Sequence, residues 1–199
     1  MSGLDWAVAA APTPADPEGS GDRYLVVSHP EGALAVVADG VGHGPEAAAA
    51  AQLAIEIARS AHGSPIALLR QCHEALRTTR GAVISIARFD DEGTMTWAGV
   101  GNVEGVLLRA DARAAPRQES LLLRSGVVGH DLPQLAALVL GVQAGDTLVF
   151  ATDGVRPEFA ADLSTLMPLQ TLAGLILARH QKGSDDALVL VARVLGDGA

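Results

Sequence analysis

Apolar residues change their spacing twice along the chain, dividing it into strand-rich and helix-rich stretches. Residues 4–11, L-D-W-A-V-A-A-A, predict a first strand, closed by the turn-rich run P-T-P-A-D-P-E-G-S-G. Two short apolar runs at 24–28 and 34–38 are separated by H-P-E-G, which predicts a hairpin. From Pro45 to about residue 61 the spacing turns helical. Proline opens this run, Glu46 supplies an acid in the first turn, and nothing breaks it before Gly63. A second helix is predicted over 65–79, with Ile66, Leu69, Cys72, His73 and Leu76 on one stripe.

Strand spacing returns after Gly81. Runs 82–89 and 94–100 flank D-D-E-G, a turn suited to a hairpin, and 103–108 adds a strand after G-N. Residues 110–120 are a weakly patterned connector. Runs 135–142 and 147–151 surround Q-A-G-D and predict another hairpin, the first of them as a buried strand. Residues 163–180 read as mostly helical with a break at Pro168, and 187–194 as a closing strand. Sequential hairpins predict a largely antiparallel α+β system. Two sheets with helices outside would bury this many apolar strands.

Composition supports a folded chain: 49 % of the 199 residues are hydrophobic and the mean hydropathy is +0.27. That length predicts one domain over 1–199, with its core at about 4–194. The net charge is -9, and Lys182 is the single lysine, so no basic stripe offers nucleic acid or anionic membrane a docking face. Cys72 is alone, which suits a reducing compartment. With no basic leader and no membrane-length apolar run, the expectation is a soluble, cytoplasmic protein, monomeric because its core is adequate by itself.

The chemistry concentrates in acids at predicted strand ends. Residues 36–46 read V-V-A-D-G-V-G-H-G-P-E, placing Asp39 where an apolar run meets a glycine-rich turn. Asp22 sits in S-G-D-R, Asp153 in L-V-F-A-T-D-G-V, and Asp185 and Asp186 in G-S-D-D-A-L-V-L-V. Carboxylates brought together repel one another and need compensating charge. Hard ions with oxygen ligands, Mg²⁺ or Mn²⁺, supply it, and two of them about 4 Å apart activate a water for in-line attack on phosphorus. A glycine after two of the acids, Asp39 and Asp153, lets a backbone approach closely. Each Asp-Gly is equally ordinary turn chemistry, and chain order alone does not bring the four sites together.

Five strings, in order over almost the whole chain, carry a family pattern: G-D at 21–22, A-D-G-V-G-H-G at 38–44, V-G-N-V at 100–103, A-T-D-G-V at 151–155 and S-D-D at 184–186. Together they resemble the SpoIIE-like branch of the metal-dependent PP2C serine/threonine phosphatases. The short length and the R-G-A-V-I-S-I run at 80–86 are most similar to its stand-alone RsbX-type members. The resemblance implies a PP2C-like αββα sandwich and two Mn²⁺ or Mg²⁺ ions. It implies removal of phosphate from serine or threonine of STAS-domain regulators in a stressosome or partner-switching pathway. A metal-bridging water would be the nucleophile, with no covalent enzyme intermediate.

Carried over by position, Asp39 bridges both ions, the Gly40 carbonyl binds one, Asp153 and Asp185 complete the second site, and Asp22 is the early acid, acting directly or through a water. Asp39 and Asp153 are the catalytic pair in this scheme. Asp186, His43, Asn102 and Arg23 are secondary candidates. His43 is either a proton or hydrogen-bond donor or, preferably, a cap for the helix at Pro45. Asn102 is a turn residue beside the site, and Arg23 a phosphate contact only if it does not point away from Asp22 along the strand. Residues 126–133 are the expected substrate-facing loop. Two features depart from the pattern: Leu188 stands where a threonine is usual, and the phosphate-holding arginine of larger relatives has no match. They motivate an alternative, a catalytically weak or inactive relative acting as a protein–protein interaction module.

Overall fold

Strands that are apolar at nearly every position need cover on both faces. The structure, a computed structural model, describes residues 3–13, 19–29 and 32–196 and meets that need with four layers. The centres of two predicted turns, at 14–18 and 30–31, and the last three residues lie outside the described residues. In chain order the elements are β1 (Leu4–Ala11), β2 (Asp22–His29), β3 (Gly32–Gly40), α1 (Pro45–Ser60), α2 (Pro65–Leu76), β4 (Ala82–Asp90), β5 (Thr94–Val100), β6 (Glu104–Leu108), β7 (Gln118–Ser120), β8 (Leu138–Gly141), β9 (Thr147–Ala151), a 3₁₀ helix (Pro157–Asp162), α3 (Leu169–His180) and β10 (Ala187–Val194).

One sheet has the order β1-β10-β9-β6-β7 and the other β2-β3-β4-β5-β8, with every strand pair antiparallel. This is the expected α+β, αββα sandwich. β3 shows how the layers are built from a period of two. Ala33, Ala35 and Val37 join Trp97, Leu107, Phe150 and Leu190 in the core between the sheets, whereas Leu34, Val36 and Ala38 face α1 and α2. A third core lies between the first sheet and α3, around Phe159, Leu172, Ile176 and Val189.

Small residues set how closely the layers approach. α1 buries Ala47, Ala50, Ala51, Ala54 and Ala58 against the second sheet. Trp97 meets Phe150 edge-on with ring centroids 6.1 Å apart. Gly105 makes room for it, since a Cβ there would lie 2.3 Å from the indole. α2 starts as its sequence dictates, with Pro65 in the first turn and Ser64 Oγ accepting from the Ala67 amide at 3.2 Å.

Five expectations are corrected. The run at 135–142 does not pair with 147–151: β8 joins β5 on the second sheet, while β9 lies between β10 and β6 on the first. The Q-A-G-D turn instead carries the chain from one sheet to the other. Buried Asp146 anchors it, accepting from the Ala110 and Gln143 amides and pairing with Arg109. β8 is an exposed edge rather than a buried strand, with Val139 at 60 % exposure. The connector at 110–120 contributes the short edge strand β7. Helix α3 starts only after Pro168, and the buried stripe of α2 runs through Leu68, Leu69, Cys72 and Leu76, with Ile66 and His73 at its margin.

Candidate metal centre

The acids gather at one end of the sandwich. Asp22 opens β2, Asp39 is next to last in β3, and strand register puts them directly opposite each other. β9 runs out into Thr152, Asp153 and Gly154, and β10 begins just after Asp185 and Asp186. A cleft of about 440 Å³ is lined by Asp39, Asp153, Asp185, Asn102, His43 and Ser184, among others. Asp22 lies nearly buried, at 5 % exposure. The glycines after two of the acids are required by close backbone packing. A Cβ on Gly40 would sit 1.9 Å from the Ala47 carbonyl oxygen in α1, and one on Gly154 would sit 1.8 Å from the Asp186 carbonyl oxygen.

Hydrogen bonds sort these acids by role. Both oxygens of Asp186 accept backbone amides, from Thr13 at 2.6 Å and Gly21 at 2.7 Å, so this acid ties the loop before β2 to the start of β10. Asp22 Oδ2 accepts from the Thr152 hydroxyl at 2.8 Å. Asp153 Oδ2 accepts from Asn102 Nδ2 at 2.8 Å, so Asn102 orients that carboxylate rather than only shaping its turn. Asp185 Oδ1 accepts from the Asp186 amide. Among the described residues, no arginine, lysine or histidine forms an ion pair with Asp22, Asp39, Asp153 or Asp185.

Electrostatics follows from that imbalance. Burial, then the charges of Asp22, Asp153, Asp185 and Asp186, push the Asp39 pKa up to about 8. Burial pushes Asp22 up to about 7, with Asp186, Asp153 and Asp185 adding to it and the Thr152 bond opposing. Asp153 is raised by burial and by Asp185, against the pull of Lys182 and the Asn102 bond. Such a set favours a cation over independent ionisation, and its donors are all oxygens, which fits Mg²⁺ or Mn²⁺. As placed, no three His, Cys, Asp or Glu side chains among the described residues are grouped closely enough to hold an ion, and mutual repulsion opposes closer approach.

The remaining candidates divide. His43 is exposed on the cleft and does not cap α1, whose N-cap is Gly44 with no side-chain cap. Arg23 folds back, its Nη1 donating to the carbonyls of Ser20 at 2.6 Å and Asp22 at 2.8 Å. Arg80 lies against Gly42 at the rim and pairs with Glu46 at 2.6 Å. Residues 126–133 pack instead on Gly81 and the end of α2, through the Val128–Ala82 bridge and the Gly129 amide to His73. Sequence reasoning passed over Thr152; its signal was a hydroxyl directly before Asp153 at a strand end. Leu188, at the position where threonine is usual, is buried between the sheets, and its amide donates to Thr152 Oγ1.

The family model for Stage II sporulation protein E (SpoIIE) matches residues 29–195. No curated protein matches the chain in sequence. A structure of the bacterial stressosome, described as a modular system that has been adapted to control secondary messenger signaling, is 29 % identical with a TM-score of 0.85 over 96 % of this chain and 100 % of that one. RsbX in complex with magnesium gives a TM-score of 0.83 at 18 % identity, over 98 % of this chain and 100 % of that one. The catalytic domain of the serine/threonine phosphatase PstP with two manganese ions gives 0.70 at 18 % identity, over the same shares of the two chains. At such identities the last two likenesses speak for the fold.

Proposed function

The chain belongs to the SpoIIE family and has the PP2C-type fold, and from that premise we propose that it is a metal-dependent phosphoserine/phosphothreonine protein phosphatase. Its substrates on this reading are phosphorylated STAS-domain regulators of a stressosome or partner-switching pathway. The likeness to the stressosome structure supports that context. Residues 1–199 act as one domain and as a monomer in the cytoplasm, and among the described residues no helix is long and apolar enough to cross a membrane.

One observation carries the reading: Asp22, Asp39, Asp153 and Asp185, from four separate strand ends, meet at one end of the sandwich with no ion-pair partner among the described residues. They and the Gly40 carbonyl would hold two Mn²⁺ or Mg²⁺ ions. When bound, such ions neutralise phosphate charge and acidify a water for attack on phosphorus. The protein's own part is positional. Asn102 fixes Asp153, Thr152 fixes Asp22, and Val41 and Val83 give the cleft apolar walls. His43, exposed on the cleft, could give a hydrogen bond or a proton to the departing serine or threonine oxygen.

The alternative of an interaction module without chemistry draws on the spacing of the acids, which are not already grouped around an ion site. One assay separates the two. Phosphate release from a phosphorylated STAS-domain regulator is measured with Mn²⁺, Mg²⁺ or EDTA, for wild type and Asp39→Asn. Turnover that needs metal and falls more than about 100-fold in the variant is expected. A folded protein that binds the regulator but releases no phosphate would move the assignment to the interaction module.

A further inference from the structure

Thr152 is 1 % exposed, directly after β9, and its hydroxyl both donates and accepts a hydrogen bond. Oγ1 accepts from the Leu188 amide at 2.9 Å and donates to Asp22 Oδ2 at 2.8 Å, while the Thr152 amide donates to the Leu188 carbonyl at 3.0 Å. The amide from Leu188 occupies a hydroxyl lone pair, so the proton points to the carboxylate. A threonine fixed to the first sheet thus orients an acid on the second. Among the described residues, Asp22 Oδ1 accepts no hydrogen bond and stays free for another partner.

The location gives this bond its consequence. Asp22 and Asp39 belong to one sheet, and Asp153 and Asp185 flank strands of the other. Between the sheets the contact is chiefly apolar, and apolar contact is non-directional. Thr152 with Asp22, and Asp186 with the Gly21 amide, are directional links between the two halves at the site itself.

We propose that Thr152 is a positioning residue for the metal centre: it fixes the rotamer of Asp22 from across the sandwich and sets the spacing of the two carboxylate pairs. The proposal rests on the metal-dependent reading above.

Its test uses the full chain with Thr152→Val, which keeps the shape without the hydroxyl, and with Thr152→Ser and Thr152→Ala. Mn²⁺ affinity is measured by calorimetry, thermal stability in EDTA, and kcat and KM with p-nitrophenyl phosphate. Thr152→Val is expected to weaken Mn²⁺ binding about 10- to 100-fold, and Thr152→Ser to stay near wild type. At saturating Mn²⁺ the loss is expected in kcat rather than KM. If Thr152→Val does not fold, Ser against Ala makes the same comparison, since they differ only by the hydroxyl. Unchanged Mn²⁺ affinity with a lowered Tm would overturn the proposal and make Thr152 a fold residue only, leaving the phosphatase reading intact. A wild-type protein that binds no Mn²⁺ would overturn both.

Discussion

Asn102 donates to Asp153 Oδ2 from the turn between β5 and β6, and that turn is held by the Gly101 amide bonded to the Arg124 carbonyl at 2.8 Å. Removing the amide leaves Asp153 free to rotate while its neighbour Asp185 repels it. Asn102→Ala is therefore expected to weaken Mn²⁺ binding about tenfold or more, read by calorimetry, with little change in Tm because the Asn102–Asp153 bond is solvent-exposed. Asp153 and Asn102 could both be picked out from sequence, because each stands in a short local string, A-T-D-G-V and V-G-N-V. Their bond could not, because it joins residues 51 positions apart. The same holds for Asp186. Next to Asp185 it reads as a second ligand, yet its oxygens are taken by amides from a loop more than 160 residues away.

At the scale of elements, the approach of α1 to β3 depends on one missing side chain. Gly40 has an ordinary φ, so what it supplies is space. An added Cβ would strike the carbonyl group of Ala47, which belongs to a helix already packed through alanines. Gly40→Ala is expected to destabilise the protein by about 3 kcal/mol and lower Tm by about 10 °C in a melting curve, with loss of metal binding as Asp39 shifts. The helix at Pro45 and the strand ending at Asp39 were legible because their signals are contiguous: proline, acid, an alanine-rich run, and a period of two. The β8–β9 pairing misled for the opposite reason. Q-A-G-D has the chemistry of a tight turn whether its flanks pair with each other or part for different sheets. Asp146, its buried anchor, is satisfied by Arg109 and Ala110 from elsewhere in the chain. β7 is a short edge strand with little apolar periodicity, which also hid it.

For the molecule as a whole, the acidic end opposes folding unless it is neutralised. Asp22 and Asp39 have folded pKa values of about 7 and about 8 against an ordinary 3.8, so each favours the folded state most when protonated. Their contribution is fully present below pH 4 and is lost as pH rises through 7 to 8. In EDTA, Tm is expected to fall by about 5–10 °C between pH 5.5 and pH 8.5. Asp39→Asn should flatten that slope and be more stable than wild type at the alkaline end. Adding Mn²⁺ at pH 8 should raise the wild-type Tm and leave Asp39→Asn nearly unmoved; a wild-type slope no steeper than the variant's would count against the coupled cluster. The sequence by itself determined the antiparallel α+β class, the strand-end acids and the need for a counter-charge, because these follow from periodicity, turn glycines and the identity of the side chains. Tertiary structure decided that Asp22 faces Asp39, that Asp153 and Asp185 join them, and that Thr152 and Asp186 serve as links between the sheets. Those are partnerships between residues up to 165 positions apart, and they exist only once apolar packing has set two sheets face to face.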